Sequence, residues 1–511
     1  MSTDPSLPGG ETEAAAGLRT LERLSLAALE KLGPGAASAP GVDPRGLEIG
    51  VVHFGLGAFH RAHQAVFTED ASSLTGDTGW GILGVTGRSA RVADALAPQD
   101  GLYSVLTKGR ASSLRVIGSI RSAVSPGRDT PLVIRTLAAA GTSVASLTIT
   151  EKGYRRDAAG HLHRSDPDVA ADLAALKTEA RSGAGAPAEP ARTPLGLLTR
   201  GLFARYRAHG APLSVMSCDN LSKNGALTRT LVTEFAAAAG GGFADWVGDA
   251  VGFPSTMVDR IVPATTDADR RRAAELLGLW DEGLVVAEPF GQWVLEDAFT
   301  AARPAWEQAG ATITADVAPF ETAKLRLLNG THSLLAYLGA LKGHRTIAEA
   351  AADPELADAA AALQGEAMRT LVPPAGLDLA EYAESILARF RNPALGHTTV
   401  QVAMDGSEKL PIRALGTAAD LLEQGVVPDA VARLVAGWMA YVFLGRDSYG
   451  HELPLDDPIA GVLTDTARGP AGGLADRMFG LDTVFPPAVA GHPGFRSAVA
   501  SHLAELLRES A

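Results

Sequence analysis

Cysteine is almost absent from this sequence, since Cys218 is the only one among 511 residues. A single thiol cannot form an intramolecular disulfide or supply a cysteine-rich zinc site. No run of about 18 apolar residues provides a membrane-spanning helix. The first residues, MSTDPSLPGG, lack the basic and then apolar order of a signal peptide. These absences predict a protein of the reducing cytoplasm with no membrane span.

Positive charge is also scarce. The 45 lysines and arginines stand against 58 aspartates and glutamates, which gives a net charge of −13. Nucleic-acid binding needs clustered cations to neutralise phosphates, so this balance argues against a nucleic-acid partner. A small anionic substrate stays open, because local and global charge are separate properties.

The length and the apolar pattern predict two domains. At 511 residues, 46% of them apolar, the chain exceeds what one core usually supports. Up to about residue 315, short apolar runs (LEIGVVHFG, WGILGVTG, SVASLTIT, PLSVMSCDN, GLVVAEPF) alternate with helical stretches, which indicates a parallel α/β sheet. Beyond residue 316 the spacing is helical. We predict a mobile lead-in over residues 1–45, an α/β domain over 46–315 and a mainly α-helical domain over 316–511.

A glycine-rich turn follows the first predicted strand. Gly55 and Gly57 lie between that strand and a helix. Dinucleotide folds use the first glycine for a tight turn and the second for the approach of the pyrophosphate to backbone N–H groups. The third glycine position holds His60. The turn, with Ala58, Phe59 and His60, therefore predicts a cofactor site, and a purely structural turn is the alternative.

The second predicted strand ends in cations. Arg88 and Arg91 follow it, with no carboxylate nearby. An acidic residue there holds the ribose of NAD, whereas arginine accommodates the 2′-phosphate of NADP, so NADP stays open beside NAD. Simple solvent exposure of both arginines is equally compatible. His60 and His63 are too few ligands for zinc, so we predict packing or cofactor contact for them and no metal.

The segment ETAKLRLLNGTHS carries the strongest chemical signal. On a regular α-helix Glu321, Lys324 and His332 lie within about 80° of one another, and Asn329 lies within about 140° of Lys324. Oxidation of a secondary alcohol needs a base, and a lysine serves if burial lowers its pKa from about 10.4 toward neutrality. Asn329 and His332 can then stabilise the developing alkoxide, and Glu321 can relay the proton. An amphipathic helix with a solvated polar face is the alternative.

Two other apolar runs end in polar residues. Asn220 closes the block SCDN, and Asp259 follows FPSTMV. α/β enzymes place ligand-binding groups at such strand ends. Each residue alone is explained by a turn or a helix cap, but together with the lysine helix they predict one active site.

Six blocks of the sequence resemble a single family. In order, GLGAFHRAHQ, SLTITEKGY, VMSCDN, FPSTMVDRIVP, EPFGQWVLED and KLRLLNGTHS resemble the mannitol dehydrogenase family, the polyol-specific long-chain dehydrogenases/reductases. The resemblance runs from about residue 46 to beyond residue 440. It implies a Rossmann-type N-terminal domain, a helical C-terminal domain, a cleft between them, NAD as the usual cofactor, no catalytic metal and a monomer.

The resemblance also implies roles for individual residues. Lys324 matches the general base, and Asn220 and Asn329 match two asparagines that polarise the reacting oxygen. The remaining matches are the substrate-contacting His332, the proton-relay Glu321, the substrate-side Asp259, Lys409 and Gln401, and the cofactor-side Thr150 and Glu151.

Substrate preference follows from the same comparison of motifs. Gln401, eight residues before Lys409, stands where mannitol-oxidising members carry arginine. TEKGY, NPALGHTT and AMDGSEKLP resemble more closely the members that reduce fructuronate to mannonate. We therefore expect fructuronate reductase activity (D-mannonate:NAD 5-oxidoreductase) on a small sugar acid, with mannitol 2-dehydrogenase or another polyol dehydrogenase as alternatives.

Three other classes of protein fit this sequence less well. A zinc-dependent polyol dehydrogenase is disfavoured by the lack of cysteines. A short-chain dehydrogenase is disfavoured because no tyrosine has a lysine four residues later. A dinucleotide-sensing protein without catalysis would have no reason to retain the lysine, asparagine and histidine set.

Overall fold

The chain divides into two compact units, Met1–Val317 and Ala318–Ala511. The computed structural model describes residues 21–32, 37–109, 111–182 and 189–509. The first unit is α/β with a parallel Rossmann-like sheet and the second is helical, so the predicted fold class is confirmed. No helix in these ranges is both long and apolar enough to cross a membrane.

Strands occur only in the first unit, within the part of the chain that the structure describes. They are β1 (Ala37–Ser38), β2 (Ile49–Phe54), β3 (Gly81–Val85), β4 (Tyr103–Thr107), β5 (Ser113–Ile117), β6 (Ile120–Val124), β7 (Val144–Leu147), β8 (Leu213–Ser217), β9 (Val251–Gly252), β10 (Thr256–Asp259), β11 (Val285–Ala287), β12 (Gln292–Glu296) and β13 (Thr312–Thr314).

Six strands form a parallel sheet in the order β6-β3-β2-β7-β8-β9. Side chains alternate between the two faces of a strand. Val52 of β2 therefore packs in one apolar cluster with Val133 and Leu198 of two helices, while Val51 packs with Phe67 in another. Both faces are covered, as is usual for parallel sheets. Polar residues that follow these strands are thereby brought to one edge of the sheet.

One predicted strand lies in a different sheet. The run GLVVAEPF forms β11, which pairs with β4 in a second sheet of order β1-β5-β4-β11, and β10-β12-β13 form a third. The pairs β4/β5 and β10/β12 are antiparallel. The prediction of a single parallel sheet is therefore wrong for β11, because a short buried apolar run looks the same in any sheet.

Part of the predicted lead-in is packed rather than mobile. Leu24 is fully buried in an apolar cluster of the first unit, and its N–H donates to the carbonyl of Trp280 at 2.8 Å. Strand β1 pairs with β5. The prediction of a mobile segment over residues 1–45 is wrong for these described residues, while residues 1–20 and 33–36 lie outside the description.

The helix predicted after β2 is interrupted. Two helices share the stretch GAFHRAHQAVFTEDA, because His63 leaves the helical backbone at φ −125° and ψ −89°. The α-helices of the first unit span Ala58–Ala62, Gln64–Thr75, Arg91–Leu96, Pro126–Ala138, Pro167–Arg181, Pro194–Ala208, Asn224–Ala236, Phe243–Ala250 and Asp267–Leu277, and short 3₁₀ turns span Ala28–Lys31, Pro44–Gly46, Ala97–Gln99, Glu151–Tyr154 and Trp306–Ala309.

The second unit packs around two helices that are buried along most of their length, Gly330–Leu341 and Asp429–Leu444. Two segments of this unit are π-helical, Lys324–Asn329 and Pro411–Leu415. The other helices are Ala318–Ala323, Ile347–Ala352, Pro354–Met368, Leu379–Phe390, Thr399–Ala403, Gly406–Leu410, Gly416–Glu423, Ala460–Ala467, Leu474–Phe479, Pro487–Ala490 and Pro493–Glu509, with 3₁₀ turns at Pro393–Leu395 and Ala471–Gly473.

Candidate active site

The glycine turn after β2 has the backbone that a dinucleotide-binding turn needs. Gly55 has a φ of +92°, and an added Cβ would lie 2.0 Å from the carbonyl oxygen of Thr148. No other residue fits there without strain. At Gly57 an added Cβ would meet nothing closer than the carbonyl oxygen of Gly55 at 3.6 Å. The turn is therefore closed on the Gly55 side and open at Gly57, where Ala58 is exposed and Phe59 is partly exposed.

His60, at the third glycine position, packs inward. Its ring stacks on that of His53 in β2 with the centroids 3.4 Å apart. His53 in turn contacts Ser146 Oγ at 2.8 Å and Thr148 Oγ1 at 2.9 Å. Burial lowers the pKa of both histidines, that of His53 to about 3, so both are neutral near pH 7. A flat ring thus replaces the glycine at this contact between strand and helix. Because the ring is fully buried, only the backbone of His60 is available to contact a cofactor.

The remaining cofactor-side candidates of the first unit are exposed. Arg88 and Arg91 follow β3, and both are solvent-exposed. Glu151 is exposed and forms an ion pair with Arg156. In the described parts of the chain, no group of three or more His, Cys, Asp or Glu residues is arranged to hold a metal ion. The roles of these residues toward a cofactor stay predictions.

A partly buried carboxylate ties together the ends of β7 and β8. Asp219 accepts hydrogen bonds from the N–H of Ile149 at 3.0 Å, the N–H of Thr150 at 2.9 Å and the hydroxyl of Tyr154 at 2.8 Å. Thr150 is held at φ +62°, which a β-branched residue rarely adopts. Burial raises the pKa of Asp219, and these hydrogen bonds oppose that rise. The sequence had offered Asp219 only as part of the SCDN block, with no role.

Replacing Asp219 with Asn is expected to destabilise the first unit by about 1–3 kcal/mol, because one amide oxygen cannot serve three donors and its NH₂ group faces backbone N–H groups. Urea unfolding monitored by tryptophan fluorescence measures the loss. Tyr154→Phe is the matched control, since it removes one hydroxyl and should cost less. An unfolding midpoint equal to that of the wild type in Asp219→Asn would contradict the structural role.

The predicted catalytic Asn220 and the predicted substrate-side Asp259 each follow or end a strand of the first unit. Asn220 is exposed just after β8, and Asp259 is the buried last residue of β10. Asn224, which sequence reasoning missed, donates to the carbonyls of Asp219 at 3.2 Å and Thr256 at 2.9 Å. Its own carbonyl accepts from the N–H of Thr256 at 3.0 Å. This amide fixes the loop that carries Asn220 against the start of β10.

Lys324 begins a π-helical turn that the sequence did not predict. The helix that starts at Ala318 widens over Lys324–Asn329 and becomes α-helical again at Gly330. Hydrogen bonds in a π-turn join residues five apart, so Lys324 and Asn329 are separated by about one such turn. The separation of about 140° expected for an α-helix is therefore wrong here. Both side chains are buried, with 7% and 6% of their surface exposed, so the solvated-face alternative does not hold for them.

The second π-helical segment packs against the first. An added Cβ at Gly330 would lie 2.9 Å from the carbonyl oxygen of Arg413. Nη1 of Arg413 donates to Ser333 Oγ at 3.1 Å. Pro411 opens this segment and has no N–H for the helical ladder, which suits a displaced hydrogen-bond pattern. Widened turns are frequent at functional sites, so two of them in contact mark this region.

His332 lies on the helix that follows Lys324, in a pocket of rings and cations. Its ring stacks on Phe390 at 4.7 Å and lies 6.0 Å from that of His397. Burial above all, and then the charges of His397, Arg413 and Lys409, hold the pKa of His332 well below its ordinary value. Its Nε2 atom is buried with no hydrogen-bond partner among the described residues. A neutral imidazole with an unused nitrogen is suited to contact a ligand.

Lys409 and Gln401, the predicted substrate-side residues of the second unit, differ in burial. Lys409 donates from Nζ to the carbonyl of Met404 at 2.5 Å and lies 3.5 Å from Asp405 Oδ2, and burial lowers its pKa. Gln401 is exposed, and its amide oxygen accepts from the N–H of Thr398 at 3.4 Å in a capping box. The substrate roles of Lys409 and Gln401 stay predictions.

Glu321 is partly buried one helical turn before Lys324. It thus lies on the same continuous helix as the lysine, Asn329 and His332. The structure brings these four predicted residues together along one helix. Asn220 and Asp259 lie in the first unit, just after β8 and at the end of β10.

Both units match known proteins. The family model of the mannitol dehydrogenase Rossmann domain matches residues 49–308, and that of the mannitol dehydrogenase C-terminal domain matches residues 316–507. D-mannonate oxidoreductase of Escherichia coli (strain K12) is 39% identical over 480 residues, which cover 92% of this chain and 96% of the relative. Mannitol 2-dehydrogenase of Cereibacter sphaeroides is 38% identical over 437 residues, which cover 85% and 89%.

A solved structure is similar over almost the whole length. The Pseudomonas fluorescens mannitol 2-dehydrogenase, in a ternary complex with NAD and D-mannitol, has a TM-score of 0.80 and 34% sequence identity, and the match covers 95% of this chain and 97% of that chain. The protein is therefore an oxidoreductase of the type that acts on a CH–OH group of a polyol or sugar acid. The chain belongs to the mannitol dehydrogenase family.

Proposed function

We propose that this chain reduces fructuronate to mannonate, and oxidises mannonate in the reverse direction, with a nicotinamide dinucleotide as the hydride carrier. The observation that carries the proposal is Lys324, buried at the start of a π-turn whose last residue is the buried Asn329. A buried amino group next to a buried amide suits proton transfer to a carbonyl oxygen. The 39% identity with D-mannonate oxidoreductase supports the choice of substrate.

The chemistry of the second unit follows from these groups. In the direction of reduction, Asn329 donates a hydrogen bond to the ketone oxygen, and the ammonium of Lys324 gives that oxygen a proton as the C=O bond becomes CH–OH. The dinucleotide, when bound, supplies the hydride to the carbonyl carbon. Glu321 then returns a proton to Lys324 from water, and His332 contacts the substrate. For Asn220 and Asp259 we propose the oxygen-polarising and substrate-side roles that the family resemblance implies.

The residues of the first unit fit a dinucleotide. The space at Gly57 leaves the backbone open to a phosphate, as the second glycine of such turns does. NAD is the proposed cofactor, because the similar Pseudomonas fluorescens structure contains it. Arg88 and Arg91, exposed after β3, keep NADP as the second candidate. We propose no metal in the reaction.

Mannitol 2-dehydrogenase activity is the second candidate function. The relative from Cereibacter sphaeroides has almost the same identity as the mannonate oxidoreductase, and the similar solved structure holds D-mannitol. Gln401 favours the sugar acid over mannitol, because mannitol-oxidising members of the family carry arginine at that position. The two functions differ in one substrate group, a carboxylate against a hydroxymethyl.

A direct assay tests the proposal. Purified protein is given D-fructuronate or D-fructose with NADH or NADPH, in the presence of EDTA, and the absorbance of the reduced nicotinamide is followed. We expect fast turnover of fructuronate with NADH. Fast turnover of fructose alone would replace the proposal by the mannitol function, and loss of activity with EDTA would contradict the absence of a metal.

A further inference from the structure

Basic side chains converge on His332 from separate segments of the second unit. The ring of His397 lies 6.0 Å from it, in the loop before Thr399–Ala403. Arg413 donates to Ser333, the next residue along the helix. Lys409 precedes Arg413 by four residues, with its ammonium half-buried. Burial lowers the pKa of His397, so the positive charge near His332 comes from Arg413 and Lys409. The Nε2 atom of His332 is itself buried and has no hydrogen-bond partner among the described residues.

Nearby carboxylates offset this charge only in part. Asp405 lies 3.5 Å from Lys409. Asp457 already accepts hydrogen bonds from Ser407, which is on the same short helix as Lys409. Arg389, on the helix that carries Phe390, has other contacts and adds a further cation. Burying like charges together is unfavourable unless an anion shares the site. The surroundings of His332 therefore suit an anionic ligand better than a neutral one.

We infer that Arg413 and Lys409, with the rings of His332 and His397, form a subsite for the carboxylate of the substrate. The inference rests on the proposed function, because it assigns one end of a hexuronate to this place. In such a molecule the ketone lies next to one end of the carbon chain and the carboxylate is the other end. With the ketone at Lys324, the carboxylate would lie further along the same helix, toward His332 and toward Arg413, which donates to Ser333 of that helix. A guanidinium presents paired N–H donors to a carboxylate, which a neutral sugar cannot use.

The test compares a charged and a neutral substrate. For Arg413→Gln we expect kcat/KM with D-fructuronate to fall about 10- to 100-fold, and kcat/KM with D-fructose to stay within about threefold. Arg413→Lys should restore part of the loss, because it keeps the charge. His397→Gln is a second variant that keeps a hydrogen-bonding side chain. Arg433→Gln is the matched control, since Arg433 forms an ion pair with Glu355 at the surface and should affect neither substrate.

The outcomes separate this inference from the proposed function. Equal losses with both substrates in Arg413→Gln and His397→Gln would overturn the subsite, because the residues would then serve the shared machinery. If the enzyme reduces only fructose, the proposed substrate fails, and D-mannonate is tested as an inhibitor of fructose reduction. Inhibition that weakens at least about tenfold in Arg413→Gln would still support the subsite. No inhibition of the wild type would overturn it. Thermal melting shows which variants are folded.

Discussion

Replacing Lys324 with Ala is expected to lower kcat by about 10²- to 10⁴-fold while the dinucleotide still binds. The reason is the position of the lysine, buried at the first residue of the π-turn whose last residue is the buried Asn329. Without the amino group, no other side chain on this turn can give the ketone oxygen a proton. The cofactor turn at Gly55 and Gly57 belongs to the first unit, so dinucleotide affinity should be unchanged. Stopped-flow turnover and fluorescence titration with NADH measure the two quantities.

Lys342→Ala is the matched control for this prediction. Lys342 caps the end of the helix Gly330–Leu341, and its ammonium pairs at the surface with Asp353 at 3.0 Å and Glu355 at 2.7 Å. Its loss should leave kcat unchanged and alter stability little, because exposed ion pairs contribute at most about 1 kcal/mol. Undiminished kcat in Lys324→Ala would refute the acid–base role. A dinucleotide-sensing protein without catalysis would show no turnover in the wild type either.

The types of residue at the candidate site were readable from the sequence, but their geometry was not. Glu321, Lys324, Asn329 and His332 could be placed on a helix because Leu327, Leu328, Leu334 and Leu335 give the segment helical spacing. The π-turn left no trace in that spacing, because a change of one residue in the hydrogen-bond pattern does not alter which residues are apolar. It depends on tertiary packing, in which Gly330 admits the carbonyl of Arg413.

Long-range contacts explain the other differences. Asp219 and Thr150 are 69 residues apart, so the hydrogen bond between them could not be derived from spacing. The burial of Leu24 depends on a bond to Trp280, far along the chain, which no local pattern around residue 24 indicates. The strands β2, β3, β7 and β8 were predictable because each is a short, mostly apolar run. Local pattern therefore gave the elements, and tertiary contacts decided their partners.

Gly55→Ala is expected to lower stability and Gly57→Ala to lower cofactor affinity, although the two glycines are two residues apart in one turn. At Gly55 a Cβ would lie 2.0 Å from the carbonyl oxygen of Thr148, at a φ of +92°. We expect the first unit to lose about 2–5 kcal/mol of stability from the clash and the backbone strain. At Gly57 the φ is −100°, which alanine adopts freely, and the nearest atom is 3.6 Å away. That variant should melt at the temperature of the wild type.

The Gly57 variant should fail in a different way. A methyl group there would fill the space next to the backbone that we assign to the cofactor pyrophosphate, so we expect the Kd for NADH to rise at least about tenfold. Calorimetric titration measures the affinity, and thermal melting of both variants measures stability. Unchanged affinity in a folded Gly57→Ala would mean that the turn is purely structural, the alternative that the sequence left open. A Gly55→Ala variant as stable as the wild type would show that the turn can relax. The close approach of Gly55 to Thr148 would then not be needed to position Gly57.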